Sequence, residues 1–445
     1  MAAGRRTPLS SVLVWLVLLT CVWVQQRAPH TELQDAFALG AAQSLAPRSI
    51  ETQLRTVRAA MPVGNAELDA AVQTSLAFDP TSMEAVSSSI ATAFADQGFN
   101  INGILFQASL PFYLLFLYFL SFRRNNTPPL AWFGFAFLLV FVFCTIPAGI
   151  ISKTAFGVNL ADADWLHGSA ESLLTCTNIF IVLGFSAAMT GNQALAASEA
   201  PKGFAGSWFV IVVLTLLLGV PLGLGVHSPF LADGGALAEL SASGAEPANA
   251  LSLPTWLVHW STVLEWLVAM SLVWRYAEAT GNEKWKGLAW GMYLSHASSV
   301  FAITYHIFYN QIGWILTGQA LCTCLGNATL MLAAYRIAAS NGWTLDELNP
   351  FAEKEEADAV FDVSRLTLPA EQDQPFVTVC KLLIPTIIGS YVTKYGELFV
   401  AADVFRSEQS SLAAAALVVA LTSGVVYTFY KNSEDLQKGQ VPTIV

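Results

Sequence analysis

Apolar residues in this chain run in long blocks instead of alternating with polar ones. Nine blocks lie near 104–122, 130–152, 171–189, 206–226, 254–275, 286–309, 312–337, 377–400 and 411–430. Most reach the roughly 20 residues that carry an α-helix across a bilayer. Thr175, Thr177 and Asn178 weaken the third block. Lys381, Pro385, Lys394 and Glu397 weaken the eighth, which also suits a helix lying in the interface. Trp132, Trp208, Trp256, Trp274, Trp285 and Trp314 sit near block ends, where an aromatic belt belongs. The pattern predicts an all-α fold, a polytopic integral membrane bundle of about nine transmembrane helices.

Charge supports the threading without having drawn it. Nine spans place eleven lysines and arginines of the connecting segments on one side, and only Lys153 and Arg406 on the other. That is a strong positive-inside bias, so the basic side is the cis side. Composition agrees: 54% of the 445 residues are hydrophobic and 12% charged, against about 25% charged in soluble domains. A net charge of −11 offers no basic stripe for phosphates and excludes nucleic acid as a partner. Six cysteines in so long a chain are no disulfide framework. Cys322 and Cys324 diverge by roughly 200° on a helix and cannot share one ion.

Ahead of the blocks, Arg5 and Arg6 precede a short apolar run from Ser11 to Val24, the shape of a signal peptide. Arg27, Arg48, Arg55 and Arg58 then face few acids, and the chain from Met61 to Phe106 has no lysine or arginine. This resembles the bipartite presequence of algae with complex plastids, so residues 1–60 are expected to be a cleavable targeting segment. The remaining layout is a polar region at 61–103, a four-helix membrane domain at 104–226 and a linker at 227–253. A second membrane domain at 254–338, an acidic loop at 339–376, a two-helix segment at 377–430 and a tail at 431–445 follow.

Polar groups inside blocks are costly and mark function or pairing. The fifth block carries His259, Thr262 and Trp266 on one stripe, with Ser261 and Glu265 on the next. The sixth repeats Gly287, Gly291, Ser295 and Ser299 every four residues, a face that admits close backbone approach. His306 continues near that face and His296 flanks it. Folded as an antiparallel hairpin, the two blocks set His259 level with His306 and Glu265 level with His296. Three readings suit these groups: interhelical hydrogen bonding by neutral His and protonated Glu, axial ligation of chlorophyll or haem, or a proton or ion path. A second cluster, Asp164, His167 and Glu171, joins an N-cap carboxylate to a pair four residues apart at the trans surface. Its functional reading is a divalent cation or a pigment magnesium; its plain one is a cap and a surface pair.

Phosphate loops, dinucleotide fingerprints and nucleophile elbows are lacking, so the chain does not read as an enzyme. The stretch from Ser252 through Ala338 resembles a hypothetical chloroplast reading-frame family of small membrane proteins of cyanobacteria and plastids. Trp256, His259, Glu265, Trp274, Arg275, Tyr276, Gly281, Asn282, Trp285, Lys286, Gly287, His306, Tyr309, Asn310, Gly326 and Asn327 carry the likeness. The first half, through "DWLHGSAESLLTCTNIFIVLGF", resembles a second photosynthetic family. The resemblance implies that the two are fused here, covering about 104–190 and 251–338. The resemblance implies a plastid, thylakoid setting and no reaction. The expected function is a photosynthetic auxiliary, a photosystem-associated subunit or assembly factor in the lipid bilayer. The alternatives are a channel or secondary transporter, and a bis-His haem redox protein.

Overall fold

The computed structural model describes residues 101–226, 249–348, 361–369, 372–396 and 410–437. The expected presequence, nearly all of the polar region and most of the linker lie outside them, as do parts of the acidic loop and the tail. The described residues form helices α1 (Ile101–Leu120), α2 (Pro129–Phe156), α3 (Asp164–Met189), the single turn α4 (Gln193–Ala196) and α5 (Ala200–Leu218). These are followed by α6 (Leu253–Thr280), α7 (Lys284–Ile307), α8 (Gly313–Ser340), α9 (Pro375–Gly396) and α10 (Ser411–Gln437).

Eight of these helices have the length and hydropathy of a span, with α4 and α5 counting as one. The long helix that falls short is α7, which spends its interior on Ser295, His296, Ser298 and Ser299 and begins with Lys284 and Lys286. The chain is an all-α multi-pass membrane protein. The helices stop where local chemistry stops them. At the end of α6, for example, Gly281 takes φ +67°, and its N–H returns to Glu278 O.

Small residues decide which helices touch, because lipid competes equally for apolar ones. A Cβ on Gly184 of α3 would come within 2.3 Å of the Ala131 backbone nitrogen on α2, so these antiparallel helices meet backbone to backbone. The small face of α7 is used in the same way. Ser295 packs on Gly326 of α8, and Thr329 of α8 donates to Gly291 O at 2.9 Å. That face therefore binds α8, and the hairpin partner α6 is met by other residues of α7.

The membrane domains expected at 104–226 and 254–338 are not separate bundles. Helix α1 lies parallel to α8, with Asn327 donating to Ser109 O at 3.3 Å and Phe119 set edge-on to Tyr335. Helix α3 lies parallel to α6, and residues of both halves share one apolar core around Phe135, Phe185, Trp266 and Tyr276. Helix α9 runs alongside α6. Arg275 donates to Gln372 just ahead of its start, and Trp260 donates to Thr393 near its end, at 2.8 and 2.9 Å. It therefore spans the same depth as α6 and does not lie flat in an interface.

Candidate functional site

Three helix ends converge on one side of the bundle. The first turns of α3 and α6 are tied together where the Ser252 N–H donates to Asp164 Oδ1 at 2.9 Å. One turn further in, a Cβ on Gly168 would come 2.4 Å from Thr255 Oγ1, so the Thr255 side chain packs directly on the α3 backbone. This brings His167 of α3 beside His259 of α6. Helix α7 arrives antiparallel and ends at Ile307, which delivers His306 to the same spot.

The three rings form a closed cluster. His167 Nε2 and His259 Nε2 are 3.0 Å apart, so one hydrogen bond joins them and a single proton lies between them. Ring centroids are 5.0 Å apart for His167–His259, 4.9 Å for His167–His306 and 4.7 Å for His259–His306. One nitrogen from each ring lies within 4.8 Å of the other two. All three side chains are buried. Trp256 stands edge-on to His259 and His306 and closes the apolar side.

The turn after α7 is strained and tied down. Tyr309 and Asn310 take φ +48° and +62°, a left-handed region that asparagine tolerates and tyrosine rarely enters. Hydrogen bonds hold it there. Asn310 donates to Asp162 Oδ1 at 2.8 Å and to Ala161 O at 3.2 Å. Asn249 donates to the same Asp162 oxygen at 3.1 Å and to Tyr309 O at 2.8 Å. The His306 and Asn310 side chains face each other there, although His306 Nδ1 and the Asn310 amide oxygen, both buried, make no well-formed hydrogen bond.

The residues singled out from sequence divide at this point. His259 and His306 come together. His167 joins them and leaves the set with Asp164 and Glu171 in which it was expected. Asp164 is spent on Ser252, and Glu171 lies outside the convergent group. His167 was expected on a helix face at the trans surface beside Glu171, whereas the first seven residues of α3, from Asp164, are buried against neighbouring helices. A count of helix depth starting at Asp164 would have set His167 level with His259.

Glu265 and His296 do not form the expected pair. Counted inward from His259 and His306, they are six and ten positions deep, so they sit about 6 Å out of register. Glu265 is also turned about 120° around α6 from His259. It accepts from Ser261 on its own helix and faces Asn178 of α3. Glu265 Oε2 and His296 Nδ1 each remain buried without a partner.

Comparison with known proteins follows the same two halves. A family described as a protein of unknown function, DUF3593, matches residues 102–190, and a second described likewise, DUF2499, matches residues 250–336. A Ycf49-like protein of Synechocystis is 53% identical over 91 residues, which are 20% of this chain and 88% of that protein. The chain belongs to the Ycf49-like family. The uncharacterized protein ycf49 of Cyanophora paradoxa is 34% identical over 84 residues, 18% of this chain and 82% of that protein. No solved structure matches. The relatives are thus cyanobacterial and plastid. The histidine cluster belongs to neither half alone: His259 and His306 lie in the DUF2499 segment and His167 in the DUF3593 segment. In this Ycf49-like chain the site exists only because the two segments pack together.

Proposed function

We propose that the protein works in the thylakoid membrane as a non-enzymatic auxiliary of photosynthesis, a photosystem-associated subunit or assembly factor. The observation that carries this reading is the pairing of a multi-pass bundle with relatives from a cyanobacterium and a plastid, which share the thylakoid. The outer face of α8, with Leu321, Leu325 and Leu332 exposed at helical spacing, suits lipid or the apolar flank of a larger complex. The histidine cluster is better suited to an ion than to chlorophyll or haem. Bis-imidazole ligation puts a macrocycle between the two rings, and rings with centroids 4.7 Å apart leave no space for one.

The test is affinity isolation of the tagged protein from solubilised thylakoids, with native electrophoresis and absorption spectra of the eluate. The expected result is co-migration with a photosystem or one of its assembly intermediates. Migration only as a free monomer or homo-oligomer, or recovery from the envelope alone, overturns the reading.

One feature favours a second reading, a channel or secondary transporter. Asn178 Oδ1, Thr262 Oγ1 and Glu265 Oε2 are buried between α3 and α6 without hydrogen-bond partners, a polar seam of the kind that lines solute paths. Ion or solute flux in proteoliposomes that is lost in Glu265→Gln would select it.

A further inference from the structure

We propose that His167, His259 and His306 bind one divalent transition-metal ion of the class that imidazole nitrogen prefers, Zn²⁺ foremost, with a fourth position left open. Three observations point the same way. First, the donors converge from three separate helices. Metal–imidazole bonds of 2.0–2.1 Å place neighbouring ligand nitrogens about 3.3 Å apart in a tetrahedral site. The nitrogens here start at 3.0 Å for one pair and lie within 4.8 Å overall. Ring rotations of about an ångström therefore complete the geometry without moving a helix.

Second, the hydrogen bonding of the trio is incomplete without a ligand. Three imidazoles serving only as interhelical links would use their nitrogens on one another or on the backbone. Here a single hydrogen bond joins two of them, and His306, although it faces the Asn310 side chain, makes no well-formed hydrogen bond through its buried Nδ1. Metal ligation uses the lone pairs that this arrangement strands. It requires the proton between His167 and His259 to move to a distal ring nitrogen, so no net proton need leave.

Third, the surroundings carry a suitable charge. The Asp162 carboxylate, held by Asn249 and Asn310, lies within electrostatic range of His167. The other nearby carboxylate, Asp164, is faced by the buried Lys394 and is already compensated. Asp162 is thus a counter-charge near a cation among three neutral rings, held in place by two amide donors.

The alternatives are weaker. Glu265 and His296 are single buried groups out of register with each other. The cavity beside Arg124 and Arg365 is open, and its asparagines already bond one another and the loops.

The experiment uses the full chain in detergent, loaded with Zn²⁺ or Co²⁺, desalted and analysed for bound metal. The expected result is roughly one ion per chain and, with Co²⁺, the intense visible bands of tetrahedral coordination. His167→Gln, His259→Gln and His306→Gln should each weaken binding by about 100-fold, and His296→Gln should leave it unchanged. X-ray absorption of the Zn²⁺-loaded wild type, expected to show imidazole nitrogen in the first shell, keeps the test sound if a variant does not fold. A wild type that retains no ion overturns the proposal, and so does a His167→Gln, His259→Gln, His306→Gln triple variant that binds as well as wild type. None of these readouts involves a photosynthetic partner, so they stand or fall apart from the thylakoid reading.

Discussion

The two ends of the bundle handle polar groups in opposite ways. At the basic end, side-chain amides staple loops by pairing with backbone. Asn126 donates to Asp362 O at 3.1 Å and accepts from Asp362 N at 3.0 Å. Gln193 donates to Phe361 O at 2.7 Å and accepts from Val363 N at 3.0 Å. Tyr276 donates to Asn126 O at 2.5 Å, and Asn341 donates to Asn125 Oδ1 at 3.0 Å. Donor and acceptor of Asn126 and Gln193 are both used, which is the signature of structure. At the histidine end three imidazoles meet mainly one another, and a buried nitrogen is left over. Convergent side-chain lone pairs with unfilled valence are what a ligand requires and what a staple avoids.

The sharpest way to break this contrast is at the close contact that builds the histidine end. Gly168→Val would drive a side chain into Thr255 and separate α3 from α6. The expected loss is about 3 kcal/mol of stability together with ion binding, read by thermal unfolding in detergent and metal analysis. A variant that keeps both would show that the histidines do not depend on this approach.

Next in size is the basic end. Asn126→Ala removes a reciprocal amide pair and puts alanine at φ +55°. It should cost about 2 kcal/mol while bound metal stays at the wild-type level. Loss of metal in this variant would mean that the two ends are coupled.

A smaller effect is expected from His306→Gln measured without metal. A ring whose buried Nδ1 makes no well-formed hydrogen bond contributes little as a staple, so unfolding should shift by less than about 1 kcal/mol. If the metal-free variant is destabilised as much as Asn126→Ala, the cluster is structural after all.

The smallest effect is at Asp362. The Ser364 hydroxyl and N–H hold its carboxyl below the usual carboxylate range. A depressed value stabilises the fold above the ordinary carboxylate pKa and loses that contribution as pH falls through the lowered one. Wild type should therefore be slightly more stable than Asp362→Asn near neutral pH, and the gap should close as pH falls below about 4. A gap that persists unchanged at low pH would contradict this assignment.

Much of this was legible along the chain. Block length located nine long helices among the described residues; eight have the length and hydropathy of a span, and α7 carries too many polar residues to qualify. Helical depth in the α6–α7 hairpin set His259 level with His306. The same counting failed for Glu265 and His296, because counting from block ends misjudges register by a helical turn while actual contacts do not. Sequence pattern showed that α7 has a small-residue face, but not that α8 would occupy it.

The sequence by itself therefore determined which segments are helical, that they belong in a membrane, and which polar residues are expensive enough to need a reason. These are properties of single segments, settled by hydropathy and by backbone groups that must be satisfied within each helix. Only the tertiary structure decided that α1 runs beside α8, that α3 runs beside α6, and that His167 completes the cluster with His259 and His306. Equally apolar helices gain little from one neighbour over another in lipid. The choice falls to a few close contacts, at Gly184, Gly326 and Gly168, and to polar groups that must meet across helices far apart in the chain.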